Sequence, residues 1–198
     1  MIRELAIAFL TLQTAPVAPV FVPAGMHAYS MPSQSMRPTI DDGDVFLADR
    51  RRDDCGSTQP APGDVVIIDR DGTPFVKRVV AGPGQRVEMK DGLLILDGAP
   101  VRRVEVGAEI LGTGLTATTI RETLPTGATY LTLDYGSGQP MDDFGPIIVP
   151  EGHWFTLGDN RDNSIDGRSF GPSPQSRLCG VAFRIVRSAN PARIGMRP

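Results

Sequence analysis

A serine and a lysine carry the first chemical signal in this chain. Residues 33–39 read Ser-Gln-Ser-Met-Arg-Pro-Thr, and residues 75–79 read Phe-Val-Lys-Arg-Val. A serine hydroxyl is a weak nucleophile near neutral pH and needs a neighbour that takes its proton during attack. Ser35 and Lys77 offer that pairing without a histidine, provided the amine is neutral, and burial drives an ammonium that way. Period two along an extended segment puts Phe75, Lys77 and Val79 on one face, which the apolar neighbours mark as inward. Most strand lysines face water, so a lysine on an apolar face points to function.

The setting of the serine supports the same chemistry. Pro32 and Pro38 stiffen the chain on either side of Ser35. If the segment is extended, Ser33 presents its hydroxyl on the side of Ser35. Ser33 together with the Ser35 backbone N–H then forms an oxyanion hole. A third feature is the run from Gly158 to Arg168, Gly-Asp-Asn-Arg-Asp-Asn-Ser-Ile-Asp-Gly-Arg. It reads either as a solvated turn or as a buried platform in which Arg161 and Arg168 satisfy aspartates and leave Ser164 free to bond another group. It lacks the spacing and the closing glutamate of a calcium loop. His27 and His153 form no cluster, Cys55 and Cys179 show no metal-ligand spacing, and no metal site is expected. The two cysteines can be bridged or free. Free thiols are favoured, because nothing in the sequence brings them together.

These residues must be positioned by short strands. Gly 22 and Pro 18 among 198 residues favour tight turns over long helices. Strand-like runs occur at Asp44–Ala48, Val65–Ile68, Phe75–Val80, Arg86–Met89, Leu93–Leu96, Tyr130–Leu133, Ile147–Val149, Trp154–Leu157 and Val181–Val186, with hairpin turns at Asp71-Gly72 and Asp91-Gly92. A short helical turn is expected near Gln175–Leu178. The expected fold is all-β, a partly open barrel of two coupled antiparallel sheets. A net charge of −3 gives nucleic acid no electrostatic hold. The four arginines between Arg184 and Arg197 are expected to face solvent or lipid. Residues 5–22 are mostly apolar but carry Pro16 and Pro19, so they read as a membrane anchor or membrane-lying segment, a cleaved signal, or a buried arm.

Taken in order, Pro32-Ser-Gln-Ser-Met-Arg-Pro-Thr-Ile40, Gly43-Asp44, Pro62-Gly-Asp-Val-Val66, Val76-Lys-Arg-Val79 and Gly158-Asp-Asn-Arg-Asp-Asn-Ser164 resemble the successive boxes of bacterial type I signal peptidases. The resemblance covers roughly residues 29–188, and the last box is the most specific. Residues 121–127 with Leu133-Asp134 resemble the variable second β lobe of Gram-negative members. The resemblance implies an apolar anchor or membrane-associating segment at 1–25, a catalytic β core at 26–100 and 147–190, an inserted variable lobe at 101–146, and a tail at 191–198. It implies a serine endopeptidase that removes signal peptides from exported preproteins after Ala-x-Ala-like sites.

By motif position, Ser35 is the nucleophile, Lys77 the general base and Ser33 the side-chain half of the oxyanion hole. Ser164 orients the amine, and Arg78, Asp159, Arg161, Asp166 and Arg168 brace that wall. Substrate pockets map onto Tyr29, Met31, Met36, Ile40, Phe75 and Val76. No cofactor is implied. The implied setting is the bacterial inner membrane, with a monomer working on preproteins at the lipid surface from the periplasmic or outer side. Gln85 replaces a common aspartate and Gly167 a common serine. The alternatives are a pilin- or conjugation-type processing peptidase sharing this core, or a non-catalytic periplasmic β module. A self-cleaving repressor fits poorly, since both Cys-Gly pairs lie downstream of Ser35.

Overall fold

The computed structural model describes residues 21–49 and 55–198. The chain runs through β1 (Met26–Ser30), β2 (Val45–Asp49), β3 (Val65–Arg70) and β4 (Thr73–Ala81). β5 (Arg86–Lys90), β6 (Leu93–Leu96) and a short β7 (Ala99–Pro100) follow. Next come β8 (Arg102–Ile110), β9 (Thr116–Thr123) and β10 (Thr129–Asp134). β11 (Phe144–Ile148), β12 (His153–Leu157), a single helical turn α1 (Gly167–Phe170), β13 (Ser173–Pro174) and β14 (Leu178–Arg187) complete the order. The architecture is all-β and antiparallel, and it does not close into a full barrel. A seven-stranded sheet has the order β1-β2-β14-β3-β4-β12-β13 and a four-stranded sheet the order β11-β5-β6-β7. Strands β10-β9-β8 form a separate three-stranded sheet.

The central strands owe their place to their composition. β3 (Val-Val-Ile-Ile-Asp-Arg) buries its first four residues, and β4 buries every residue from Val76 to Ala81. Both are covered on two faces, so their apolar character is nearly continuous rather than alternating. The turn joining them has positive φ at Asp71 and Gly72, the geometry a two-residue hairpin needs to match strand twist. Asp91-Gly92 repeats it between β5 and β6.

Several expectations change. β1 and β8–β9 are strands that carry no clear apolar alternation. The β8 residues lie mostly exposed, and the strand is held by its ladder to β9. The short turn expected at Gln175–Leu178 is a 3-10 turn over Gln175–Arg177, while Asp166 caps the unexpected α1. Cys55 and Cys179 are disulfide-bonded, contrary to the free thiols favoured from sequence. The physical reason is a main-chain contact invisible in sequence, Gly56 N–H donating to Leu178 O at 2.9 Å, which lays the loop along β14. The apolar segment at 5–22 falls almost wholly outside the described residues. Among the described residues no helix is long and apolar enough to cross a membrane.

Candidate active site

Ser35 sits in a tight turn between β1 and β2. The base of the turn is closed by Met31 N–H donating to Asp44 O (2.9 Å) and Gly43 N–H donating to Met31 O (2.8 Å). Arg37 N–H to Gln34 O and Ile40 N–H to Met36 O brace its interior. Met36 and Ile40 are wholly buried and root the turn in the core. On one side Asn160 reaches it, its backbone N–H donating to Ser35 O and its side-chain Nδ2 to Gln34 O, each at 3.1 Å. On another, Arg193 donates to Pro38 O (2.8 Å) and Thr39 O (2.6 Å) while its Nε bonds Asp44 Oδ2. This is not the solvent- or lipid-facing arginine expected of the tail. Ser33 Oγ donates to Ser35 Oγ at 3.3 Å. The bend at residues 33–39 brings the two hydroxyls together, rather than the alternation of an extended segment.

Lys77 arrives from the middle of β4. Its Nζ lies 2.7 Å from Ser35 Oγ and donates to Val76 O at 2.8 Å. Only 3% of the residue is exposed. Burial lowers its pKa from 10.5 to about 8, against the pull of the Asp166 and Asp159 carboxylates toward the charged form. Those carboxylates are committed elsewhere. Asp159 takes a two-pronged bond from Arg78 (2.8 and 2.6 Å), and Asp166 takes Arg168 Nε (3.0 Å) and Nη2 (2.8 Å) as well as Gly158 N–H. Asp166 accordingly titrates lower than usual: burial works to raise it, and the bonds from Arg168 and the backbone prevail. The arginines therefore keep two nearby negative charges from holding the proton on Lys77 more tightly.

The loop after β12 must approach the nucleophile turn closely. A Cβ at Gly158 would overlap the Ser164 side chain and come within 2.6 Å of Ser35 O, so this position has no room for a side chain. A cavity of about 520 Å³ opens over the pair. Met31, Pro32, Pro74, Phe75 and Val76 give it apolar walls, while Asp162, Ser164 and Ile165 form another edge. Among the described residues no cluster of His, Cys, Asp or Glu could hold a metal ion. A buried amine with a lowered pKa against a serine hydroxyl, at the floor of an apolar cleft, is equipped for nucleophilic attack on a carbonyl.

A family model described as signal peptidase, peptidase S26, matches residues 2–186. The chain belongs to the signal peptidase family. It is similar to signal peptidase I T of Bacillus subtilis (strain 168), 31% identical over 173 residues, which cover 83% of this chain and 76% of that one. It is also similar to signal peptidase I of Bacillus licheniformis, 32% identical over 173 residues covering 83% and 78%. A crystal structure of a signal peptidase I from Enterococcus faecalis V583 aligns with a TM-score of 0.38 and 24% identity, covering 63% of this chain and 97% of that one. The family match and the two Bacillus relatives place the chain among serine peptidases of the S26 family.

The residues singled out from sequence take different places in the structure. Ser33, Ser35, Lys77, Met31, Phe75 and Val76 converge on the cleft. Met36 and Ile40 do not line it. They are fully buried beneath the turn, and Tyr29 stacks on Phe46 beside the same cluster. Ser164 borders the cleft, but its buried Oγ has no hydrogen-bond partner among the described residues. The expected bond from Ser164 to the Lys77 amine is thus absent, because Nζ is turned to Ser35 and Val76. Arg168 pairs with an aspartate as expected, whereas Arg161 pairs with Glu122 of β9 at 2.8 and 2.5 Å. Tyr130 of β10 also donates to that carboxylate. Glu122 and Asn160 were missed. The signal for Glu122 is a carboxylate set between Ile120 and Leu124 at period two, the pattern that flags Lys77.

Proposed function

We propose that this protein is a serine endopeptidase that removes signal peptides through a Ser35–Lys77 dyad. The observation that carries this reading is the 2.7 Å approach of Lys77 Nζ to Ser35 Oγ, with the amine buried and its pKa lowered to about 8. Ser35 Oγ attacks the scissile carbonyl carbon while neutral Lys77 takes its proton. The developing oxyanion is received by the Ser33 hydroxyl and the Ser35 N–H. Collapse expels the amine, which takes the proton from Lys77, and leaves an acyl-enzyme. Lys77 then deprotonates a water that attacks the ester and frees the enzyme.

The walls of Met31, Phe75 and Val76 support a preference for small side chains at the cleavage site and two residues before it. The substrate is an exported preprotein held at a lipid surface, with the catalytic domain on the outer side of the bacterial inner membrane. The Cys55–Cys179 disulfide supports that side, since such bonds persist in oxidising compartments. The test is cleavage of a preprotein with an Ala-x-Ala site by Ser35→Ala and Lys77→Met. Each variant should lose at least about 10³-fold in kcat/KM while its circular dichroism stays that of the parent. Substantial cleavage by either folded variant refutes the dyad.

A further inference from the structure

Asn160 has no part in the chemistry above, yet it is completely buried against the nucleophile turn. Its side-chain Nδ2 and its backbone N–H donate to the two carbonyls that flank the nucleophile, Gln34 O and Ser35 O. We propose that Asn160 is a positioning residue for the oxyanion hole: by fixing the peptide planes on both sides of Ser35, it aims the Ser35 N–H. The proposal rests on the Ser35–Lys77 reading and adds a residue to it.

The argument is one of peptide geometry. The Gln34–Ser35 peptide is trans, so its C=O and N–H point to opposite sides of one rigid plane. Anchoring Gln34 O on Asn160 Nδ2 therefore turns the Ser35 N–H away from the Asn160 loop. The second bond, from Asn160 N–H to Ser35 O, stops the following plane from rotating. Asn160 is itself held in place, because Leu133 N–H donates to Asp159 O and Arg161 N–H donates to Leu133 O on either side of it. The arrangement has a visible cost. Asn160 Oδ1 is buried with no hydrogen-bond partner among the described residues. Turning the amide over would set that oxygen against Gln34 O and lose the donor, so the side chain keeps an orphaned acceptor in order to hold the carbonyl.

Misaiming an oxyanion donor weakens transition-state binding while leaving substrate binding intact. In Asn160→Ala, kcat should fall about 10- to 100-fold, with KM within about twofold and the pH midpoint of activity unmoved. The decisive probe is an Ala-x-Ala peptide aldehyde. Ser35 Oγ bonds to its carbonyl carbon, the π pair moves onto the oxygen, and the Ser35 proton passes to Lys77, placing a stable mimic of the intermediate in the hole. Its inhibition constant should rise in step with the fall in kcat, which a lowered folded fraction cannot produce. Asn160→Ser retains a short donor and covers a folding failure of the alanine variant; it should show the same parallel change at smaller size.

A kcat per folded molecule within about threefold of the parent, or a fall in kcat with unchanged aldehyde binding, overturns the proposal. If Ser35→Ala is inactive while Asn160→Ala is normal, only the positioning role fails. If Ser35→Ala still cleaves, the dyad itself fails.

Discussion

In the proposed dyad, Lys77 combines two demands that oppose each other, since burial that would free its lone pair for catalysis also strains the folded state. With its pKa lowered from 10.5 to about 8, the reactive neutral form grows roughly tenfold per pH unit below that value. We expect kcat/KM for a preprotein to climb with pH and level off above about 8; a profile flat from pH 6 to 9 would contradict a lysine base. The same shift is a stability statement. Between pH 8 and 10.5 the unfolded chain holds a proton that the folded chain has released, so folding stability rises with pH through that window. Below pH 8 both states are protonated and the folded state bears the full cost, about 3 kcal/mol. Lys77→Met should therefore be about 1–3 kcal/mol more stable than the parent at pH 7 in urea unfolding, and its stability should no longer rise between pH 8 and 10.5. Lys77 was legible in sequence because Phe75 and Val79 flank it on one strand face. Asn160 was not, because its work is done through backbone carbonyls of Gln34 and Ser35, which leave no mark on residue type.

At the level of elements, a buried acid adds a side-chain tie between the three-stranded sheet and the catalytic wall, beside the Leu133 backbone bonds to Asp159 and Arg161. Glu122 of β9 holds Arg161 from the loop after β12, and the Tyr130 hydroxyl bonds the same carboxylate. Burial works to lower the pKa of Arg161, but Glu122 beside it raises it instead. Glu122→Ala leaves a buried guanidinium without its counter-charge, which should cost about 3–5 kcal/mol in urea unfolding at pH 7. A loss below about 1 kcal/mol would mean the pair is dispensable. The strands nearest the site, β3, β4 and β12, were readable from apolar runs and Asp-Gly turns. β8 and β9 were not: most β8 side chains lie in water and need no apolar alternation, and β9 is threonine-rich, its place set by the ladders to its partners.

Across the whole molecule, the seven-stranded sheet brings the ends of the described chain together. β14 lies between β2 and β3, and the Cys55–Cys179 bond spans 124 residues of sequence. Opening that crosslink with a reductant should lower stability by about 2–5 kcal/mol, seen as a depressed thermal midpoint that returns on reoxidation. An unchanged midpoint would show the bond to be passive. That pairing was beyond sequence reasoning, because it depends on where a polar loop settles against a strand far along the chain.

The turn bearing Ser35 is likewise gripped by side chains numbered 78, 160 and 193, drawn from three distant stretches. Half-assembled copies would thus present an unattached hydroxyl and a wet, charged amine, harmless to neighbouring polypeptides. Under the proposed mechanism, turnover would itself report that a molecule has finished folding.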